Sequence, residues 1–135
     1  MIKTIWCITF HVSDLRRAVD FYEKTLGLTK KYEYSSYAGF ECGSVEIGLI
    51  PKEKVEIGEN APTVEFIVDN VDRFCETLKM KNADIVKPPH DEQWGGRQAS
   101  FKDPDGNILE IVQINWKKYF NVAAKGAKKQ CRANH

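Results

Sequence analysis

Residues 5–26 read Ile-Trp-Cys-Ile-Thr-Phe-His-Val-Ser-Asp-Leu and then Arg-Arg-Ala-Val-Asp-Phe-Tyr-Glu-Lys-Thr-Leu. Residues 61–78 read Ala-Pro-Thr-Val-Glu-Phe-Ile-Val-Asp-Asn-Val-Asp-Arg-Phe-Cys-Glu-Thr-Leu. At an offset of 56 residues, Phe10 meets Phe66, Val12 meets Val68, Leu15 meets Val71 and Arg17 meets Arg73. An ordered internal repeat of this kind decides the fold before any single residue does. In each copy an alternation of period two passes into a helical stripe. Trp6, Ile8, Phe10 and Val12 alternate with Cys7, Thr9 and His11; Val64, Phe66 and Val68 alternate with Thr63, Glu65 and Ile67. That period gives a strand with one apolar face. Ser13 or Asp14 can cap the first helix, and Asp69 or Asn70 the second, by accepting free backbone N–H groups. Leu15, Val19, Tyr22 and Leu26 form the first apolar stripe, with Gly27 as its stop; Val71, Phe74, Cys75 and Leu78 form the second.

Three further strands follow each helix. The pattern predicts 31–37, 38–42 and 45–50 in the first copy, and 84–87, 98–102 and 108–114 in the second. Gly43-Ser44 and Asp103-Pro104-Asp105-Gly106 mark the late hairpins, because Pro fixes φ and Gly accepts positive φ. A longer loop is expected over Pro88–Gly96. The fold class is therefore α+β. Two βαβββ modules, about 1–52 and 61–114, form a curved mixed-sheet cup with helices outside. Residues 53–60 are the linker, and 115–135 a C-terminal tail. One module alone would leave a bare sheet face and an unpaired edge.

Composition bounds the function. The chain has 135 residues, 42% apolar and 29% charged, enough for one domain with a core. No apolar run approaches the roughly 18 residues of a membrane span, and the N-terminus lacks a secretory pattern. A cytoplasmic protein without a membrane partner is expected. Cys7, Cys42, Cys75 and Cys131 form no C-x-x-C pair and are expected as free thiols. From Asn115 onward there are six basic residues and no acidic one, so residues 1–114 carry net −5. An acidic body argues against a nucleic-acid surface.

Two stretches carry a resemblance. Val12-Ser13-Asp14-Leu15 through Phe21-Tyr22-Glu23-Lys24-Thr25-Leu26-Gly27-Leu28, and Trp94-Gly95-Gly96-Arg97 with Phe101-Lys102-Asp103-Pro104-Asp105-Gly106-Asn107-Ile108-Leu109-Glu110, are similar to the vicinal oxygen chelate superfamily of glyoxalases, bleomycin-resistance proteins and extradiol dioxygenases. With the repeat, the resemblance covers about residues 4–114. It implies a cup whose mouth carries four metal-ligand positions, which fall here at Cys7, Gly48, Thr63 and Glu110. Only Glu110 keeps a residue suited to such a site, since a divalent ion normally wants several His or carboxylate donors. No cofactor and no metal ligand set is therefore predicted. A divalent ion would need a nonstandard set drawn from His11, Glu46, Glu65 and Glu110.

Strand parity places Cys7, Thr9, His11, Glu46, Gly48 and Ile50 on the cup face of the first module. It places Thr63, Glu65, Ile67, Ile108, Glu110 and Val112 on that of the second. Glu110 is the candidate catalytic residue, as a base or a hydrogen-bond acceptor. The candidate ligand contacts are Cys7, His11, Gly48, Thr63, Trp94 and Arg97. Trp94 would close a glycine-rich loop over the ligand, and Arg97 would grip an anionic group bidentately. Tyr34, Tyr37 and Phe40 are candidate aromatic contacts. The expected function is small-molecule binding without the usual family metal. The alternative is a glyoxalase-like lyase or isomerase using Glu110 with a noncanonical metal set. The expected partners are a small organic ligand and a second copy in a homodimer.

Overall fold

The computed structural model describes residues 1–58 and 61–125. The first half builds β1 (Cys7–Val12), α1 (Leu15–Asp20), β2 (Thr29–Glu33), β3 (Ala38–Cys42) and β4 (Val45–Pro51). The second builds β5 (Val64–Ile67), α2 (Val71–Met80), β6 (Asp84–Asp91), β7 (Gly96–Lys102) and β8 (Ile108–Ile114), and α3 (Trp116–Ala124) follows. Each half is one mixed four-stranded sheet, ordered β1-β4-β3-β2 and β5-β8-β7-β6. In each the first strand runs parallel to the last, and the other neighbours are antiparallel. The α+β reading with two βαβββ repeats stands.

The repeat extends to the caps. Asp14 accepts the Arg17 N–H at 3.0 Å and Asn70 accepts the Arg73 N–H at 3.0 Å, the same position in each copy. Each satisfies one of the orphan donors of a first helical turn. Beyond Asp20 the first helix widens into a π turn over Phe21–Thr25, closed by Leu26 N–H to Phe21 C=O at 2.9 Å. It stops at Gly27, whose φ of +78° is open to glycine at little cost.

Several boundaries differ from the sequence pattern, three of them informatively. β1 begins at Cys7, and Trp6 is exposed. β2 ends at Glu33, before the predicted 37, because Ser35-Ser36 turn the chain and the Tyr34 N–H closes on the Tyr37 carbonyl at 2.7 Å. β6 runs through Pro88 and Pro89, where a loop was expected. It can do so because β6 is an edge strand and its register against β7 shifts there, so the missing N–H groups break no ladder.

One continuous apolar cluster joins both halves. Val12, Val19, Tyr22, Phe40, Ile47 and Leu49 come from the first, and Val71, Leu78, Phe101, Leu109 and Ile111 from the second. The Asp103–Asn107 turn ties the halves with polar bonds. The buried Asp103 accepts Tyr22 Oη at 2.9 Å, the N–H groups of Asp105 and Asn107, and Asn107 Nδ2. Asp105 Oδ1 accepts the Ser13 N–H at 3.0 Å and Ser13 Oγ at 2.5 Å. Burial, then the neighbouring Asp103 carboxylate, drives the Tyr22 phenol well above its ordinary pKa, so it stays a donor.

Candidate functional site

Period-two alternation gives each sheet a second face, opposite the one packed into the shared core. On the first sheet the β3–β4 part of this face is filled by the sheet's own side chains, while Thr9 and His11 on β1 stay exposed. Glu46 is 5% exposed and accepts three hydrogen bonds. Oε1 takes Tyr32 Oη at 2.6 Å and Lys31 Nζ at 2.9 Å; Oε2 takes Tyr37 Oη at 2.6 Å. The Tyr32, Tyr37 and Lys31 bonds, in that order, hold the Glu46 carboxyl down at about 2. Cys7 lies opposite Glu46 in the β1–β4 register, with Sγ 3.4 Å from Tyr37 Oη. The phenol has one proton and gives it to Glu46, which leaves the thiol as donor to Tyr37.

Two paired glycines make this possible. Gly39 and Gly48 face each other across β3 and β4. A Cβ on Gly39 would collide with the Tyr32 ring, and one on Gly48 with Tyr37 Oη. The bare strip lets both rings lie across the sheet and reach Glu46. Glu46, which parity places on the cup face, is covered for this reason.

The second sheet's outer face is exposed along its β5 and β6 edges, while Ser100 on β7 and Val112 on β8 are buried. Register sets Lys87, Ser100, Glu110 and Glu65 in one row across β6, β7, β8 and β5. Thr63, Glu65 and Ile67 are exposed, and Glu110 is half-buried. Burial first, and then the hydrogen bond and charge of Glu65, push the Glu110 carboxyl up to about 7; His90 and Lys87 oppose that shift. Near neutrality the Glu110 carboxyl therefore populates both a donor and an acceptor form. His90 lies at the row's margin, with Nδ1 2.9 Å from the Pro88 carbonyl and Nε2 3.1 Å from Glu92 Oε1.

The remaining candidates are dispersed. His11 is exposed on β1, its carbonyl 3.3 Å from Asn107 Nδ2. His11 and Thr63 both border a cavity of about 330 Å³ between β1, the 55–58 segment and the start of β5. Trp94 folds over Gly96 and stacks edge-on against Tyr119 of α3, ring centroids 6.2 Å apart. The Arg97 fork is occupied: Asp72 of α2 takes Nε and Nη2 at 2.8 and 2.9 Å, and Asp91 takes Nη1 at 3.0 Å. Tyr34 is exposed and Phe40 is core. Tyr32, Lys87 and Ser100 were not picked out from the sequence. The glycine pair at 39 and 48 is the signal that would have found Tyr32. Lys87 and Ser100 follow only from the cross-strand register.

The four positions implied by the resemblance do not suit a divalent ion. Gly48 offers no donor and lies under Tyr37, Thr63 is an exposed hydroxyl, and the Cys7 thiol is engaged. His11, Glu46, Glu65 and Glu110 do not converge either. Among the described residues no group of three or more His, Cys, Asp or Glu side chains could hold a metal ion.

Paired βαβββ units, each with a sheet face turned from the common core, define a protein of the glyoxalase fold. The family model of the Glyoxalase/Bleomycin resistance protein/Dioxygenase superfamily matches residues 5–111, and the chain belongs to that superfamily. It is 31% identical over 118 residues to the uncharacterized protein YraH of Bacillus subtilis (strain 168), spanning 76% of this chain and 92% of that one. It is 28% identical over 116 residues to a lactoylglutathione lyase of Escherichia coli O157:H7, spanning 76% and 86%. A putative glyoxalase family protein from Bacillus anthracis has the same fold, with a TM-score of 0.72 at 19% identity over 85% of this chain and 98% of that one.

Proposed function

We propose that this chain binds a small organic ligand on the outer face of its second sheet, without a bound metal. One observation carries the reading: Glu110 stands half-buried in a cross-strand row between exposed Glu65 and buried Ser100, with exposed Lys87 at the row's end, and its carboxyl is pushed up to about 7. A carboxyl in that state offers a ligand both a proton and a lone pair at neutral pH. Lys87 adds a positive charge for an anionic substituent, and Ile67 and Ile108 add exposed apolar surface. Such a mixture of apolar wall and few polar groups suits a small organic molecule.

The wild-type protein, purified without chelator, is expected to contain no stoichiometric metal and to bind none on titration with nickel, zinc or manganese. A thermal-shift screen of hydrophobic antibiotics, aromatic metabolites and coenzyme A thioesters is expected to give a ligand whose shift is lost in Glu110→Gln. Tight stoichiometric metal that disappears in Glu110→Gln would sink the metal-free reading.

A second reading has a specific observation behind it. A carboxyl near 7 is matched to proton transfer at neutral pH, so Glu110 can serve as a general base in a lyase or isomerase. The likeness to a lactoylglutathione lyase makes lactoylglutathione the first compound to assay. Turnover that falls by about a hundredfold or more in Glu110→Gln supports this reading over simple binding.

A further inference from the structure

We propose that Tyr37 stands in for a cation on the first sheet: its hydroxyl fills the point where Cys7 and Glu46 converge, and it keeps that half of the cup free of metal. The proposal deepens the metal-free reading above and rests on it. Its ground is geometric. Cys7 and Glu46 are cross-strand partners on β1 and β4. Glu46 Oε2 lies 2.6 Å from Tyr37 Oη and Cys7 Sγ 3.4 Å from the same oxygen. A soft donor and a hard donor thus aim at one atom. In the family pattern a cation would draw on the first sheet at Cys7 and at position 48. Here a neutral hydroxyl lies between the donors and covers that position.

The substitution is self-consistent. A Cβ on residue 48 would run into Tyr37 Oη, with Cζ at 2.8 Å and Cε1 at 2.9 Å. No donor side chain can stand there while Tyr37 is in place, and Tyr37 lies there only because 48 is glycine. The charge is also accounted for. Glu46 is compensated by Lys31 at 2.9 Å and covered by Tyr32, so no cation is needed to keep a buried carboxylate. The Tyr34 N–H bond to the Tyr37 carbonyl fixes the backbone that delivers the ring. A divalent ion bound to Cys7 and Glu46 would have to expel the phenol and strip the thiol of its proton.

Cadmium is the probe, because a thiolate prefers soft ions. The readouts are calorimetry and thiolate-to-metal ultraviolet absorption, each compared with and without Cys7→Ser to separate Cys7 from the other thiols. In wild type, Cys7→Ser is expected to leave cadmium binding unchanged. Tyr37→Ala vacates the point between the donors, and Gly48→Ala forces the phenol off it. In either folded variant a Cys7-dependent site should appear, at least about tenfold tighter than wild-type binding. Alkylation of Cys7 should also be faster. Tight Cys7-dependent cadmium binding by wild type would overturn the proposal. So would its absence from whichever of the two variants circular dichroism and thermal unfolding show to be folded. The ligand screen on wild type is read separately, so failure here leaves small-molecule binding on the second sheet standing.

Discussion

At the scale of single residues, identity mattered less than what lay beside each side chain. Glu110 is identifiable from its place on the last strand, but its chemistry comes from Glu65 across β5–β8 and from partial burial. The sign of its effect on stability follows. In the unfolded chain Glu110 ionises near the ordinary 4.5, and in the fold near 7. As pH rises between these values the unfolded state loses its proton first, so Glu110 destabilises the fold increasingly until it too has ionised. Glu110→Gln removes that penalty. The variant should melt higher than wild type at about pH 8 and show little difference at about pH 5, read by calorimetry across the range. An equal difference at both pH values would mean that the carboxyl ionises as freely in the fold as in the unfolded chain. Cys7 and Gly48, by contrast, read from the sequence as losses. In the structure each has a positive job, one as donor to Tyr37 and the other as the floor beneath it.

At the scale of elements, local chemistry was largely legible. Period-two alternation placed β1, β4, β5 and β8 and the faces of each, and the capping residues marked both main helices. Asn70 accepts the Arg73 N–H, so Asn70→Ala should cost about 1 kcal/mol of stability, measured by urea unfolding. What escaped local reading were elements whose ends depend on pairing. β2 stops early at a serine turn, and that turn puts Tyr37 beside Glu46. β6 runs through two prolines because an edge strand loses little by it. Residues 115–135 read as a basic C-terminal tail, yet Trp116–Ala124 form α3, which packs through Tyr119 against Trp94, while Trp116 and Phe120 stay largely exposed. Residues 126–135, with Lys128, Lys129, Cys131 and Arg132 of the basic tail, lie outside the described residues.

At the scale of the whole molecule, the two polar clusters share no hydrogen bond or ion pair among the described residues. The groups that move Glu46 all belong to the first half and those that move Glu110 all to the second. We propose that the chain forms a homodimer, as the family resemblance implies: light scattering after gel filtration should give twice the 15.5 kDa chain mass, and a single-chain mass at all concentrations would overturn it. Among the described residues no helix is long and apolar enough to cross a membrane. The sequence by itself determined the repeat, the α+β class, the parity of each strand and the poverty of the metal positions, because alternation, capping and side-chain chemistry are local properties. Only the tertiary structure decided that Tyr37 fills the first sheet's face, that Arg97 is spent on Asp72 and Asp91, and that the Asp103–Asn107 turn clamps the halves. Those contacts join residues far apart in the chain through cross-strand register and packing, which no local pattern encodes.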